Sequence, residues 1–156
     1  PELIEACKVS LLDRGFGQKS GANGSGWGKA NKVNLWARAK DGNRAYSMLR
    51  ELINKNIAPN LWDFHPPYQM DGNCGYTSGV CEMLCYSSDD IIELLPALPE
   101  EWKNGSVKGL CARGGYSLDF TWENGKIKSL SVYSSCGKKT ARIKTGDEIK
   151  TVKTVG

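Results

Sequence analysis

The apolar residues change their period partway along the chain, and that change limits the folds open to it. Up to about residue 95 they recur at three- and four-residue spacing, as in Leu3, Ile4, Cys7, Leu11 and Leu12, and again in Ala45, Met48, Leu49, Leu52 and Ile53. Such spacing puts side chains on one face of an α-helix. Beyond Leu94-Leu95-Pro96-Ala97-Leu98-Pro99 the period is two: Tyr116, Leu118, Phe120 and Trp122 alternate with Ser117, Asp119 and Thr121, the pattern of a half-buried strand. Helices followed by strands argue against an alternating α/β sheet. They predict an α+β chain of two structural units, divided near residues 88–106.

The helical part reads as four segments. The first runs over residues 2–14 and stops before Gly15, where a glycine, serine and asparagine cluster (15–26) predicts a loop. A helix over 27–40, apolar around much of its circumference, should be buried on more than one side. Asp41-Gly42-Asn43 breaks it, and the short break implies an antiparallel pairing with the next helix. Residues 58–74 show neither period and carry Pro59, Pro66, Pro67 and Gly72, which predicts irregular, stiffened chain. A last helix is expected from about Cys74 to Ser87, with Gly72, Gly75 and Gly79 spaced to admit a close neighbour, so that the first ninety residues are helical. Downstream, Asn124-Gly125 sits between two strand patterns, and both residues tolerate the positive φ of a two-residue hairpin. Residues 105–156 are expected to fold on their own.

Composition removes several classes. With 40% hydrophobic and 24% charged residues the chain is neither disordered nor collagen-like, and no run of about 18 apolar residues offers a membrane span. The net charge of +4 is concentrated after residue 125, where eight Lys/Arg face two acids. These lysines alternate with β-branched residues and no aromatic follows Tyr133, so they read as the solvated face of a sheet rather than a nucleic-acid surface. Six cysteines in 156 residues are too sparse for a disulfide scaffold and are expected as reduced core thiols. The opening Pro1-Glu2-Leu3-Ile4 has neither an initiator Met nor a signal segment, and is read as a truncated start that assigns no compartment.

One stretch concentrates residues capable of chemistry: Asp63-Phe64-His65-Pro66-Pro67-Tyr68-Gln69-Met70-Asp71-Gly72-Asn73-Cys74-Gly75, which includes the one histidine of the sequence. Two prolines fix the backbone there, so His65 and Asp71 would be held with little freedom. Asp71 either caps the helix that follows or serves as a catalytic base. His65 reads as a hydrogen-bonded side chain in irregular structure, since Asp63, Asp71 and Cys74 have no metal-ligand spacing. Cys81 and Cys85 are four residues apart, and small thiols against a glycine-lined helix explain them better than a metal shared with Cys74. No nucleophile elbow, phosphate-binding loop or dinucleotide fingerprint is present.

The sequences Gly26-Trp27-Gly28-Lys29-Ala30, Asn34-Leu35-Trp36-Ala37-Arg38, His65-Pro66-Pro67 through Asp71-Gly72-Asn73, Leu94 to Pro99, and Ala112-Arg113-Gly114-Gly115 resemble the C-terminal part of glycoside hydrolase family 95, which contains α-L-fucosidases acting on α-1,2-linked fucose. The resemblance implies the terminal helices of an (α/α)6 barrel over residues 1–95, followed by a small antiparallel β-sandwich domain over 96–156. It implies an inverting hydrolase that needs no cofactor or metal. Asp71 falls on the family's water-activating aspartate and His65 on a substrate-contacting histidine, while the glutamate general acid and its partners lie upstream of these motifs. The implied partners are a fucosylated glycan and the missing N-terminal part of the same enzyme, with no nucleic acid or membrane. Tyr68, Met70 and Cys74 depart from the commoner Phe, Ile and Phe, which leaves α-L-galactosidase specificity open. From a different class, a noncatalytic glycan-binding module with stacking tryptophans remains as the alternative.

Overall fold

The computed structural model describes residues 2–15, 24–64, 68–88 and 90–155. Four helices come first: α1 (Glu2–Asp13), α2 (Gly26–Arg38), α3 (Gly42–Asn56) and α4 (Met70–Leu84). Ser25 starts α2 by accepting a hydrogen bond at Oγ from the Gly28 amide (3.3 Å). The helix ends in a Schellman arrangement. Lys40 takes φ +58°, and the amides of Lys40 and Asp41 donate to the carbonyls of Ala37 and Trp36. Asp41 then caps α3, its carboxylate accepting from the Arg44 amide at 3.1 Å.

This tight junction turns the chain back. Lys29 near the start of α2 reaches Asn56 (2.8 Å) and Glu51 (3.5 Å) near the end of α3, so the two helices are antiparallel as expected. Helix α4 returns parallel to α2. A Cβ on Gly75 would lie 2.9 Å from the Ala30 Cβ, one on Gly79 would lie 2.5 Å from Val33 Cγ1, and Glu82 meets Arg38 at 2.9 Å. Gly75 and Gly79 thus admit the close neighbour anticipated for them. Val33, Trp36, Ala45, Met48, Leu49 and Met83 form the helical core.

Two helical stripes are less buried than their periodicity predicts. In α1 only Leu11 is buried, while Leu3 and Val9 are 83% and 66% exposed; Ile53 of α3 is exposed as well. The period identified the faces correctly, but within the described residues no element covers them. A groove of about 380 Å³ along α1 and α2 is lined by Leu3, Ile4, Cys7, Leu11 and Leu35 among others.

The strands begin earlier than expected. Helix α4 starts at Met70 rather than near Cys74 and stops at Leu84. Cys85–Ser87 is strand β1 and Ile92–Leu94 is strand β2. The first ninety residues are therefore not all helical. Strands β3 (Gly105–Ala112), β4 (Tyr116–Glu123), β5 (Lys126–Ser134), β6 (Thr140–Thr145) and β7 (Glu148–Lys153) complete two sheets, ordered β1-β2-β6-β7 and β3-β4-β5. Pairing is antiparallel except between β2 and β6, which run parallel with Ile92 opposite Ile143. Two strands of the four-stranded sheet thus precede residue 105, so residues 105–156 are not a complete unit.

The alternating residues of β4 behave as read. Leu118, Phe120 and Trp122 are buried, and the Asn124-Gly125 hairpin joins β4 to β5 with φ of +49° and +70°. They meet Ile92, Leu94, Ala141 and Ile143 of the other sheet in one apolar cluster, which makes the arrangement a small sandwich. The basic side chains of Lys126, Lys128, Arg142 and Lys150 are exposed, on positions that alternate with buried ones in β6. Glu93, nearly buried, ties helix end to sheet by accepting from Lys40 (2.7 Å) and pairing with Lys144 (3.3 Å). All six cysteines are free, but none is in the core. Cys81 and Cys85 are half-buried and the other four are exposed, a correction to the expected core thiols. Among the described residues no helix is long and apolar enough to cross a membrane.

Candidate functional site

After α3, residues 57–64 fold into a compact reversal. Leaving α3, the chain pairs Ile57 with Asp63 in a single antiparallel bridge, and the Phe64 amide donates to the Asn56 carbonyl at 2.8 Å. At the tip, the amides of Ala58 and Leu61 donate to the carbonyls of Trp62 and Ala58, both at 2.8 Å, and Asn60 Oδ1 accepts from the Trp62 amide. Leu61 sits at φ +68°, in the left-handed region where a Cβ crowds the following carbonyl. Such a conformation persists only where surrounding bonds over-determine it. Asn73 supplies one, donating from Nδ2 to the Leu61 carbonyl at 2.7 Å while its Oδ1 accepts from the Asp63 amide at 2.8 Å.

Asp63 is fully buried. Its carboxylate lies against the α-carbons of Gly26, the first residue of α2, and Gly72, in the first turn of α4; a Cβ at either glycine would fall on it. Both helices therefore present their N-terminal turns, with partial positive charge, to one carboxylate. Gly72 serves this contact rather than the helix–helix approach assigned to it from its spacing, which Gly75 and Gly79 make without it. From sequence alone Asp63 reads only as a carboxylate without metal-ligand spacing. The signal available was two glycines at helix starts with an aspartate between them in the chain.

Asp71 is the second residue of α4 and is exposed. Gln69 occupies the N-cap position and makes no side-chain capping bond. The capping role considered for Asp71 is not realised, and among the described residues its carboxylate accepts no hydrogen bond. It stands at the positive end of α4 and faces solvent. In the segment that precedes α4, Trp62 and Tyr68 stack with ring centroids 4.8 Å apart at 38°, both partly open to solvent, and Phe64 and Tyr68 form a backbone bridge. Exposed rings offer stacking surface to the C–H faces of a sugar, and an exposed carboxylate offers an acceptor for a water proton. His65 lies outside the described residues, together with Pro66 and Pro67.

Cys81 and Cys85 contribute no such chemistry. Burial, then Glu82, pushes the Cys85 thiol up to about 12, and the Cys81 thiol is raised for the same first reason. Raised thiols are poor nucleophiles at neutral pH. Among the described residues no group of three or more His, Cys, Asp or Glu side chains is placed to hold a metal ion.

Comparison with known proteins adds a second line. Residues 1–84 match the Glycosyl hydrolase family 95 catalytic domain, and residues 86–155 match the Glycoside hydrolase family 95, C-terminal domain. The chain is 34% identical to alpha-L-fucosidase 2 of Arabidopsis thaliana over 86% of its own length and 17% of that protein's. It is 35% identical to a probable alpha-fucosidase A of Aspergillus oryzae, over 76% of this chain and 18% of the relative. A probable alpha-fucosidase A of Aspergillus niger is 31% identical, over 91% of this chain and 20% of the relative. The chain thus spans about a fifth of the length of these curated relatives.

Proposed function

Because this chain belongs to glycoside hydrolase family 95, we propose that it forms part of an inverting α-L-fucosidase that releases terminal α-1,2-linked L-fucose from glycans. In this reading residues 1–95 close the catalytic (α/α)6 barrel and residues 96–156 form the accessory β domain, with β1 and β2 lent to its sheet by the helical side. The observation that supports it best is the exposed carboxylate of Asp71 on the first turn of α4, which among the described residues accepts no hydrogen bond.

Inversion is a single displacement. A general acid protonates the leaving oxygen while a carboxylate on the opposite sugar face deprotonates the attacking water, the two groups standing about 6.5–9.5 Å apart so that the water fits between. Asp71 would take the water's proton. Among the described residues no hydrogen bond competes for its oxygens, which leaves both available to the water. His65 would hold a fucose hydroxyl, and Trp62 with Tyr68 would border the sugar. No residue of this chain is assigned as the acid, so the 156-residue polypeptide alone should not turn over substrate.

The test uses the full-length protein containing this chain, with 2′-fucosyllactose followed by proton NMR. β-L-fucose should appear first and mutarotate later. Asp71→Asn should lower kcat at least about 100-fold, the scale of general-base assistance, with the fold intact. Initial release of α-L-fucose, or near wild-type turnover by Asp71→Asn, would overturn the assignment.

A further inference from the structure

We propose that Asp63 and Asn73 are positioning residues that set the direction of Asp71, an inference that rests on the reading of Asp71 as the base. The geometry forms a clasp. Asn73, two residues after Asp71 on the same first turn of α4, holds the reversal 61–63 through the Asp63 amide (2.8 Å) and the Leu61 carbonyl (2.7 Å). Asp63 in turn is seated against Gly72, the immediate neighbour of Asp71, and against Gly26 at the start of α2. Its backbone carbonyl also accepts from the Gln69 amide at 3.4 Å.

The first turn of a helix is its least constrained part, because its amides lack intrahelical partners and the ends fray. Here the N-cap Gln69 adds no side-chain bond to hold it. The clasp replaces that missing cap. It fixes α4's opening turn from the Asn73 side, from the Gly72 side and through Gln69. Asp71 is exposed and among the described residues accepts no hydrogen bond, so its backbone sets the Cα–Cβ direction from which the carboxylate reaches, and what fixes that backbone limits where the carboxylate can stand. A displacement of the order of 1 Å at a reacting group costs about 100-fold in rate, so the clasp has leverage on catalysis beyond its contribution to folding.

The experiment is a double-mutant cycle in the full-length protein, reading kcat and KM on 2′-fucosyllactose together with the melting temperature. Asp63→Asn keeps the shape of the side chain but removes its charge. Asn73→Ala opens the clasp at a position that is not fully buried, so it supplies a folded variant if Asp63→Asn does not fold. Each should lower kcat by about 10- to 100-fold with KM within about twofold, and neither should lower kcat further once Asp71→Asn is present. Asn73→Asp, which keeps an acceptor for the Asp63 amide, should recover part of the loss. If folded Asn73→Ala retains wild-type kcat while Asp71→Asn is inactive, the positioning role is refuted and the base stands. If the Asn73→Ala loss persists undiminished on the Asp71→Asn background, the residue acts other than through Asp71. If Asp71→Asn is itself active, the underlying reading of the base fails instead.

Discussion

Gly79→Ala tests how α4 is seated on α2. Alanine is the better helix former by about 1 kcal/mol, so at an exposed helical site the change would stabilise. Here the new methyl would lie 2.5 Å from Val33 Cγ1 and 3.1 Å from Val33 Cβ, against the 3.5–4.0 Å of an ordinary carbon–carbon contact. Val33 is wholly buried and β-branched, with one favoured rotamer in a helix, so it cannot swing away. The helices must part by about 1 Å, and overpacking of this kind costs about 1–3 kcal/mol. The net effect is a loss of up to about 2 kcal/mol, which for a chain of this size lowers the melting temperature by several degrees at about 2–4 °C per kcal/mol. Trimming Val33 to Ala removes the methyl groups in the way. Val33→Ala alone should destabilise by opening a cavity, and the double variant should be more stable than the sum of the two losses. The measurement is urea unfolding of the four proteins followed by circular dichroism. A stabilised Gly79→Ala, or strict additivity with Val33→Ala, would show that α2 and α4 do not meet at these residues.

Three further outcomes follow from the fold. Gly125→Val should cost about 1 kcal/mol or more from backbone alone, since a Cβ there meets only Leu98 at 3.7 Å while φ is +70°; an unchanged melting temperature would refute this turn geometry. A polypeptide of residues 105–156 should lack dispersed amide signals in proton–nitrogen NMR spectra, because β6 loses its parallel partner β2 and the apolar cluster loses Leu84, Ile92 and Leu94, whereas residues 84–155 retain these groups. Iodoacetamide at pH 8.5 should modify Cys7, Cys74, Cys111 and Cys136 well before Cys85, as read by mass spectrometry. Because folding raises Cys85 from 9.0 to about 12, the unfolded chain releases this proton first; stability from this group is full below pH 9 and is lost as pH climbs toward 12.

Local patterns carried most of the architecture. The stripe from Ala45 to Leu52, the alternation from Tyr116 to Trp122, and Asn124-Gly125 each specify structure through neighbours a few residues away, so they can be read directly. The motif from His65 to Asn73 is where the sequence places the candidate site; of it, the described residues 68–73 put Asp71 in the exposed first turn of α4. What the sequence could not settle was decided by contacts distant along the chain. Ile92, Glu93 and Leu94 are all buried in a three-residue strand, which leaves no alternation to read, and their strand character comes from pairing with Arg142's neighbour Ile143 and the residues after it. The apolar faces of α1 and the exposed Ile53 show the converse, since a period fixes which side of a helix is apolar but not whether anything covers it. Asp63 shows it most clearly. Its composition says surface, yet the meeting of two helix starts at glycines 46 residues apart makes the one space that buries it, and only the tertiary fold brings Gly26 and Gly72 together there.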